Sequence, residues 1–473
     1  MLTRNTRILS LLLVACMLCA AFLTACGEEQ SDDLPAAAAT AAETAAAVTS
    51  PAETDRASRP DGLPELDYDG ATVNILYRKV PNLPDYEMTA ELTGDVVDDA
   101  VYYRNLKVSE RLNLNLSFSG QGTAAANEVP AAATNAVMSG EDLFQIWVWQ
   151  QARILRLVTS GYYTDMSDNR YIDLDQPWWN TSYMEQINIG SDRTYFYAGD
   201  VILSIISCLS MNMVNKSLYA SLYGDINDLY NEVLDGNFTF ERFSALVEGA
   251  YSDLNGDGTA DDTDRYGITV TPVSDTELLA FAAGMTLSRR GSGGLPELDV
   301  MTERNTKVLN TVNDLYYANA GTLVVKETEI IDETMENRFA SEQMLFLPKW
   351  FASTDLLRDM ETDYGIVPFP KLDDTQDDYR ALVHNIASTV AVPITCGDPD
   401  MIGALLEALA AESYRTVIPA YYEVSLKTKY ARDDVTSQMI DLIYGAAFTD
   451  FAYAYSVLLG SVGTISRTVV GQQ

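Results

Sequence analysis

Short β-prone runs alternate with helical patterns along most of the chain, and this alternation limits the possible folds more than any other feature of the sequence. Ala71–Tyr77 is a first apolar run, apolar residues recur on one helical face after Asp95, and Leu112–Phe118 alternates as a strand. A small-residue helical pattern at 124–138 then precedes another strand, Asp142–Trp149. Such strand–helix–strand alternation is typical of a parallel sheet with helices on its faces.

A second alternation begins near Val201. About 400 residues follow the N-terminal region, which is too many for one ordinary domain and fits two. We therefore predict an α/β protein with two lobes of similar size. The segments expected in the later part of the chain are a β-prone run at 201–215, a helix at 239–254, strands at 266–270, 343–350, 364–370 and 387–394, and a helix at 398–414.

The N-terminus has the pattern of a secretory signal. Arg4 and Arg7 precede an apolar run from Ile8 to Leu23, without the flanking charges of a permanent span. Leu23–Cys26 resembles the bacterial lipobox, so we expect cleavage after residue 25 and a lipid anchor, with palmitate among its acyl chains, on Cys26. An ordinary signal peptide with an incidental cysteine is the alternative.

Residues 26–66 are predicted to be a disordered tether that links the lipidated cysteine to the folded body. This stretch is rich in alanine and has almost no large apolar side chains. Such a composition cannot bury enough surface to offset the loss of chain entropy on folding.

The charge of the chain excludes one class of partner. The formal net charge is -37, from 31 basic and 68 acidic residues, so a nucleic acid backbone would be repelled. The single histidine, His384, lies in an apolar run and is expected to pack in the core. Cys208 and Cys396 are the cysteines of the folded body, and the sequence leaves open whether they pair or remain thiols.

The stretch Asp253–Asp264 has the oxygen-ligand spacing of a calcium loop, with Gly258 at its sixth position. A helical pattern precedes the loop but a β-prone run follows it, so it lacks the helix pair that a calcium sensor needs. We therefore predict a structural Ca²⁺ site, and a solvated acidic turn is the alternative. The expected metal ligands are Asp253, Asn255, Asp257, Thr259, Asp261 and Asp264.

Several stretches together resemble the extracellular solute-binding lipoproteins of ABC importers, in the carbohydrate-binding branch that includes maltose-binding-type proteins. Ser160–Asp168, Tyr171–Asn180, Tyr197–Asp200, Tyr364–Lys371 and Leu426–Asp434 carry the likeness through their order and spacing. The resemblance implies the type II periplasmic-binding-protein-like fold, in which each lobe is a sheet flanked by helices and a hinge joins the lobes.

The resemblance also implies where the lobes begin and end. The first crossing between them is expected near 200–212 and the second near 364–370. The N-terminal lobe would then comprise 67–200 and 371–412, and the C-terminal lobe 201–370 and 413–473, after a signal peptide at 1–25 and the tether at 26–66.

The same resemblance implies a sugar site between the lobes. Trp350 corresponds to a tryptophan that stacks on a sugar ring, although Pro348–Lys349 replaces the usual Gly-Pro turn. Indole faces suit the C–H faces of sugars, and amide and carboxylate groups suit their hydroxyls. The expected ligand-binding residues are Trp149, Gln150, Asp200, Asn212, Trp350, Trp178 and Trp179.

The implied function is a binding one, without catalysis. A monomer, lipid-anchored outside the bacterial cell membrane, would bind a sugar or oligosaccharide and deliver it to the transmembrane subunits of an ABC permease. Two alternatives remain: a secreted glycoside hydrolase, which would need a carboxyl pair, and the same fold with a peptide or another small solute as its ligand.

Overall fold

A computed structural model describes residues 56–79, 88–122, 128–190, 192–326, 332–357, 360, 363–422 and 434–471. These residues belong to one compact unit, Pro51–Gln473. They form two mixed sheets flanked by helices, so the predicted two-lobed α/β fold is confirmed. The signal peptide, Cys26 and most of the tether lie outside the described residues. Within the described ranges, no helix combines the length and apolar character needed to cross a membrane.

The first sheet contains four strands from the first 200 residues of the chain and one that returns from much later. Its order is β2-β1-β3-β13-β4. β1 is parallel to β2 and to β3, as the alternation predicted, whereas β13 is antiparallel to both β3 and β4. The strands are Ala71–Arg78 (β1), Leu114–Gln121 (β2), Ile146–Gln150 (β3), Phe196–Tyr197 (β4) and Ser388–Ala391 (β13).

The second sheet has the order β11-β5-β10-β6-β9. β5 is antiparallel to both of its neighbours, and β10, β6 and β9 are parallel to one another. The strands are Ser210–Asn215 (β5), Tyr266–Val270 (β6), Thr322–Val324 (β9), Met344–Trp350 (β10) and Tyr364–Val367 (β11). Two small sheets pair Ser288–Arg290 (β7) with Pro296–Leu298 (β8), and Ala381–Leu382 (β12) with Ala447–Phe448 (β14).

The helices cover these sheets. The first of them begins after Asp95, whose carboxylate accepts hydrogen bonds from the N–H groups of Val97 and Asp98, and it buries the apolar face that the sequence predicted. The helices are Val96–Leu112 (α1), Ala131–Ser139 (α2), Gln151–Ile154 (α3), Thr181–Ile187 (α4), Ser204–Ser207 (α5), Lys216–Tyr223 (α6), Ile226–Leu234 (α7), Phe240–Gly249 (α8), Ser274–Ala282 (α9), Glu303–Tyr317 (α10), Asp332–Ala340 (α11), Pro399–Glu412 (α12), Ile418–Ala420 (α13), Asp434–Gly445 (α14), Phe451–Ala454 (α15) and Ile465–Val470 (α16).

β5 contributes to both apolar cores. Met211 and Met213 belong to the larger cluster, which includes the first sheet and also Leu347 and Ile366 of the second sheet, and Val214 belongs to the smaller cluster on the second sheet. Successive side chains of a strand point to opposite faces, so one strand can serve two cores. The long β-prone run predicted at 201–215 is a strand only over its last six residues, because residues 204–207 form the short helix α5.

The segments that join the two sheets lie against each other. Leu209 pairs with Val383 in an isolated bridge, and the N–H of His384 donates to the carbonyl of Cys208 at 2.9 Å. The first crossing therefore falls inside the predicted range. The second follows β12, later than predicted, because Tyr364–Val367 is a strand of the second sheet.

Two of the predicted lobe boundaries are also displaced. Leu372 and Tyr379 belong to the core of the second sheet, so the segment that follows β11 stays on the second lobe. Residues 413–417 pack against α1 and α12 of the first lobe, whereas helix α14 packs against β11. We call the first sheet with the structure packed on it the first lobe, and the second sheet with its own the second lobe.

The end of the predicted tether is folded onto the first lobe. Asp61 is 7% exposed, and Arg111 of α1 forms a bidentate ion pair with its carboxylate. Arg415 also contacts this carboxylate, at 3.4 Å, and donates to the carbonyl of Arg59 at 2.8 Å. The guanidinium of Arg56 lies 4.2 Å from the ring centre of Tyr414. Assigning residues 56–66 to a disordered tether is therefore wrong.

Removing the Asp61 carboxylate is expected to destabilise the protein. Burial raises the pKa of Asp61, but the hydrogen bond and charge of Arg111, with the charge of Arg415, lower it overall. Its contribution is present above the unfolded pKa of about 3.9 and is lost as the pH falls through the folded value. We expect Asp61→Asn to lower the free energy of urea unfolding at pH 7 by about 1–3 kcal/mol, and this effect should shrink as the pH falls below about 3.9.

Glu110→Gln is the control, because it makes the same charge change at an exposed position of α1, beside Arg111. Equal urea midpoints at pH 7 for Asp61→Asn and the unsubstituted protein would show that the ion pair does not stabilise the fold.

Candidate functional site

The end of β3 carries polar side chains where the two sheets approach each other. Gln150 is 5% exposed and lies opposite Ser388 of β13, which is fully buried. Gln151 is also fully buried, and its N–H donates to the carbonyl of Ala387 at 2.8 Å. Several side-chain groups here have no hydrogen-bond partner among the described residues: the amide oxygen Oε1 of Gln150, the amide oxygen and nitrogen of Gln151, and the hydroxyl of Ser388.

The start of β5 carries two further buried polar side chains, on the second lobe. Ser210 and Asn212 alternate with methionines, so both side chains lie on one face of the strand. Both residues are fully buried, and neither the Ser210 hydroxyl nor the Asn212 amide has a partner among the described residues. We call the five residues that share these properties the junction polar group: Gln150, Gln151, Ser210, Asn212 and Ser388.

The backbone connects the two halves of this group. The N–H of Ser388 donates to the hydroxyl of Ser204 at 2.9 Å, and helix α5, which begins at Ser204, leads directly into β5. A buried polar group without a partner costs about 1–3 kcal/mol. The junction polar group can therefore bind a ligand that offers both hydrogen-bond donors and acceptors, as hydroxyl groups do.

Trp350 is the last residue of β10 and lies opposite Ser210. It is half-buried, and its ring centre lies 4.8 Å from that of His384, with an interplanar angle of 31°. Pro348 and Lys349 lie within the strand, so the turn expected before Trp350 is absent from this described segment. His384 is 8% exposed, as predicted, and burial lowers its pKa to about 4. The imidazole beside Trp350 is therefore neutral at pH 7.

Trp149 and Asp200 are both enclosed by the protein. Trp149 is fully buried opposite Thr389 in the first sheet. Asp200 lies on the first crossing, is 2% exposed, and accepts a hydrogen bond from the hydroxyl of Tyr444 of α14 at 2.7 Å. Burial raises the pKa of Asp200 to about 7, although the hydrogen bond from Tyr444 opposes this shift. Asp200 thus connects the crossing to a helix of the second lobe.

Trp178 and Trp179 hold helix α12 to the segment before α4. Their indole N–H groups donate to the two oxygens of Glu407, at 3.0 and 2.9 Å, and the N–H of Asp173 donates to the same carboxylate at 3.3 Å. Trp178 is fully buried and Trp179 is 4% exposed. Trp179 also lines a cavity of about 890 Å³ next to the β7–β8 hairpin. Both indole N–H groups are thus engaged within the first lobe.

The predicted calcium ligands lie in one turn between α8 and β6. Asp253 accepts the N–H groups of Gly256 and Gly258 at 2.6 and 2.9 Å, and both glycines have positive φ, 73° and 76°. Asp264 is fully buried and accepts the N–H of Leu254 at 3.0 Å. No group of three or more acidic, histidine or cysteine side chains among the described residues could hold a metal ion. The donor types suit calcium, and the site stays a prediction.

The sequence contained usable signals for the residues that it missed. Ser210 and Asn212 interrupt an apolar strand at alternate positions, and Gln151 directly follows the buried strand β3. Glu407 lies among apolar residues in the middle of helix α12, away from the acids Asp400 and Glu412 at its ends, and could have been recognised as a buried hydrogen-bond acceptor. Cys208 and Cys396 are buried thiols, which resolves the alternative left open above.

No protein-family model matches the sequence, and no curated protein sequence matches it. The fold is similar to that of a solved structure, the galacto-N-biose-/lacto-N-biose I-binding protein of the ABC transporter from Bifidobacterium longum in complex with lacto-N-biose. The alignment covers 85% of this chain and 96% of that protein, with 12% identity and a TM-score of 0.55. A cyclo/maltodextrin-binding protein complexed with maltotetraose is similar over the same shares, with 10% identity and a TM-score of 0.52. These likenesses show a shared two-lobed fold.

Glu407 is expected to make stability depend on pH. Burial raises its pKa to about 7, although hydrogen bonds from Trp179, Asp173 and Trp178 oppose the shift. Because its folded pKa is raised, Glu407 stabilises the folded state fully at pH values below its unfolded pKa of about 4.3. This contribution is lost as the pH rises through 7. We expect the free energy of unfolding to fall between pH 5 and 8, and Glu407→Gln to reduce this fall by roughly 1–3 kcal/mol.

Part of this dependence of the unfolding free energy on pH should remain in Glu407→Gln, because burial also raises the pKa of Asp200 to about 7. Asp400→Asn, at the exposed start of the same helix, is the control. An identical pH dependence in the Glu407→Gln variant and the unsubstituted protein would contradict the assignment.

Proposed function

We propose that this protein is the substrate-binding component of an ABC transporter. It captures a sugar or oligosaccharide between its lobes and delivers it, chemically unchanged, to the transmembrane subunits of a membrane permease. The observation that carries this proposal is the junction polar group, whose buried donors and acceptors lie at the meeting of the two sheets. The two similar solved structures support it, since their titles name bound saccharides.

Trp350 supplies the apolar part of such a site. A pyranose ring exposes C–H faces, and an indole face carries negative charge density that favours contact with them. Trp350 is half-buried at the end of β10, opposite Ser210 of the junction polar group. One ligand can therefore contact an aromatic face and hydroxyl or amide groups together.

Binding would act by closing the lobes. A ligand held by groups from both sheets has more contacts when the lobes are close, so it shifts the population towards the closed form. Such a movement would occur about the two crossing segments. These segments are held together by the bridge between Leu209 and Val383 and by the hydrogen bond from the N–H of His384 to the carbonyl of Cys208. An affinity of about 1 μM, near −8 kcal/mol, would suit capture and release.

We also propose that the mature protein is a monomer, attached to the outer face of the bacterial cell membrane through lipid on Cys26. The charge, apolar run and cysteine of the N-terminus support this arrangement. Residues 56–66 pack on the first lobe, so the attachment would lead to that lobe.

Replacing Trp350 is expected to weaken saccharide binding far more than it weakens the fold. Trp350→Ala removes the proposed sugar platform but no fully buried side chain, so we expect affinity to fall at least tenfold, or about 1.4 kcal/mol, with a small change in Tm. A thermal-shift panel of saccharides and peptides identifies the best binder. Calorimetric titration with that ligand measures the affinity, and thermal unfolding measures the Tm.

Trp147→Phe is the matched control. Trp147 is 1% exposed within β3 and packs edge-on against Tyr163, so this change should lower Tm and leave affinity intact. Equal saccharide affinities for Trp350→Ala and the unsubstituted protein would contradict the proposed platform. Formation of cleaved products from glycans would instead favour a hydrolase, and a thermal shift with peptides alone would change the class of ligand.

We further propose that Ca²⁺ stabilises the corner between α8 and β6. The support is the ligand spacing, together with the positive φ of Gly258 at the sixth position of the loop. Neutralising the negative charge of the loop's aspartates would stabilise this corner without altering the residues between the lobes.

Chelation with EGTA is expected to lower Tm by several degrees and to leave the saccharide stoichiometry unchanged. A ligand at a hundredfold excess over its Kd stabilises the folded state by about 2.7 kcal/mol. Asp257→Ala should abolish the EGTA effect, whereas Asp262→Ala, an acid of the same loop outside the predicted ligand set, should retain it. A Tm that is insensitive to EGTA in the unsubstituted protein would refute the calcium site.

A further inference from the structure

Three charged side chains from three elements lie near the carboxyl edge of the second sheet: Lys349 is paired with Glu336, and Asp275 is bonded to Thr271 just after β6. β6 and β10 are parallel, with Met344 opposite Tyr266 and Phe346 opposite Ile268, so both strands end at the same edge. Ligands of open α/β sheets bind outside this edge. We call Asp275, Glu336 and Lys349 the second-lobe charge cluster.

Lys349 is already engaged by the protein. Its ammonium lies 3.1 Å from a carboxylate oxygen of Glu336 of α11, and the two side chains are 13% and 5% exposed. Lys349 directly precedes Trp350 at the carboxyl end of β10, and the two side chains point to opposite faces of the strand. The positive charge of Lys349 is therefore balanced before any ligand arrives.

Asp275 adds a second carboxylate at the start of α9. It is 7% exposed, and one of its oxygens accepts the N–H and the hydroxyl of Thr271 at 2.7 and 3.0 Å. Burial raises the pKa of Asp275, Lys349 lowers it and Glu336 raises it again, so the three charges act on one another. The cluster has one positive and two negative charges when ionised.

An unpartnered polar group lies beside the cluster. Thr269 lies in β6, and Thr271 directly follows the last residue of that strand, Val270. Thr269 is 1% exposed, and its hydroxyl has no partner among the described residues. A neutral hydroxyl group of a ligand can satisfy such a side chain without adding charge.

We propose that the second-lobe charge cluster makes the cleft select uncharged saccharides over anionic ones. This inference rests on the proposed function and narrows its class of ligand. A uronate carboxylate placed here would face two carboxylates and an ammonium that Glu336 already neutralises. Repulsion between like charges is strong in a partly buried site, and adverse contacts of this kind are a common source of specificity.

The test compares saccharides that differ in charge. Neutral probes are maltotetraose, cellotetraose, xylotetraose and lacto-N-biose, and the anionic probe is tetragalacturonate. We expect the best neutral probe to bind the unsubstituted protein at least a hundredfold more tightly than tetragalacturonate. Glu336→Gln and Asp275→Asn, which keep the side-chain shape and remove one negative charge each, should reduce this ratio at least fivefold.

Glu342→Gln is the control, because it removes a charge from an exposed position just after α11, and it should leave the ratio unchanged. Thermal unfolding of each variant checks that it is folded. This inference alone would be overturned if the unsubstituted protein bound neutral and anionic probes with equal affinity. It would also be overturned if the ratio of neutral to anionic affinity in both cluster variants equalled that of Glu342→Gln. Binding of no saccharide at all would overturn the proposed function with it.

Discussion

The structure depends on β13, a strand that completes the first sheet only after the chain has built most of the second lobe. Its antiparallel pairing with β3 and β4 places Ser388 opposite Gln150. The chain must therefore cross between the sheets and return, and both crossings meet where Leu209 pairs with Val383. This single constraint brings the end of β3, the start of β5 and the residues around Trp350 to one place.

The local fold could be predicted well from the sequence because hydrophobic period is a local property. The strand at Ala71, the helix after Asp95 and the strand Tyr266–Val270 all follow from spacing alone. The antiparallel direction of β13 could not be predicted, because an apolar run has the same pattern in either direction. The second crossing was placed too early for a similar reason: Tyr364–Val367 reads as a buried strand, but the pattern does not say which sheet it joins.

The site was predictable in part. Gln150 ends β3 and Asn212 lies within β5, as the strand patterns predicted, and the contact of either residue with a ligand stays a prediction. The role of Trp178 depends on Glu407, which is more than 200 residues away in sequence, and Asp200 similarly depends on Tyr444. Such pairings arise from tertiary packing, which residue type and spacing do not encode.

A distance measurement between the lobes tests the account most directly. Spin labels at Met138 and Leu234, which are 71% and 45% exposed on α2 and α7, would report the separation of the lobes. We expect a saturating neutral saccharide to shift and narrow this distance distribution, and to leave unchanged the distribution of a control pair, Met138 and Tyr103, within the first lobe. An unchanged distribution between the lobes in the presence of a bound saccharide would contradict capture by closure.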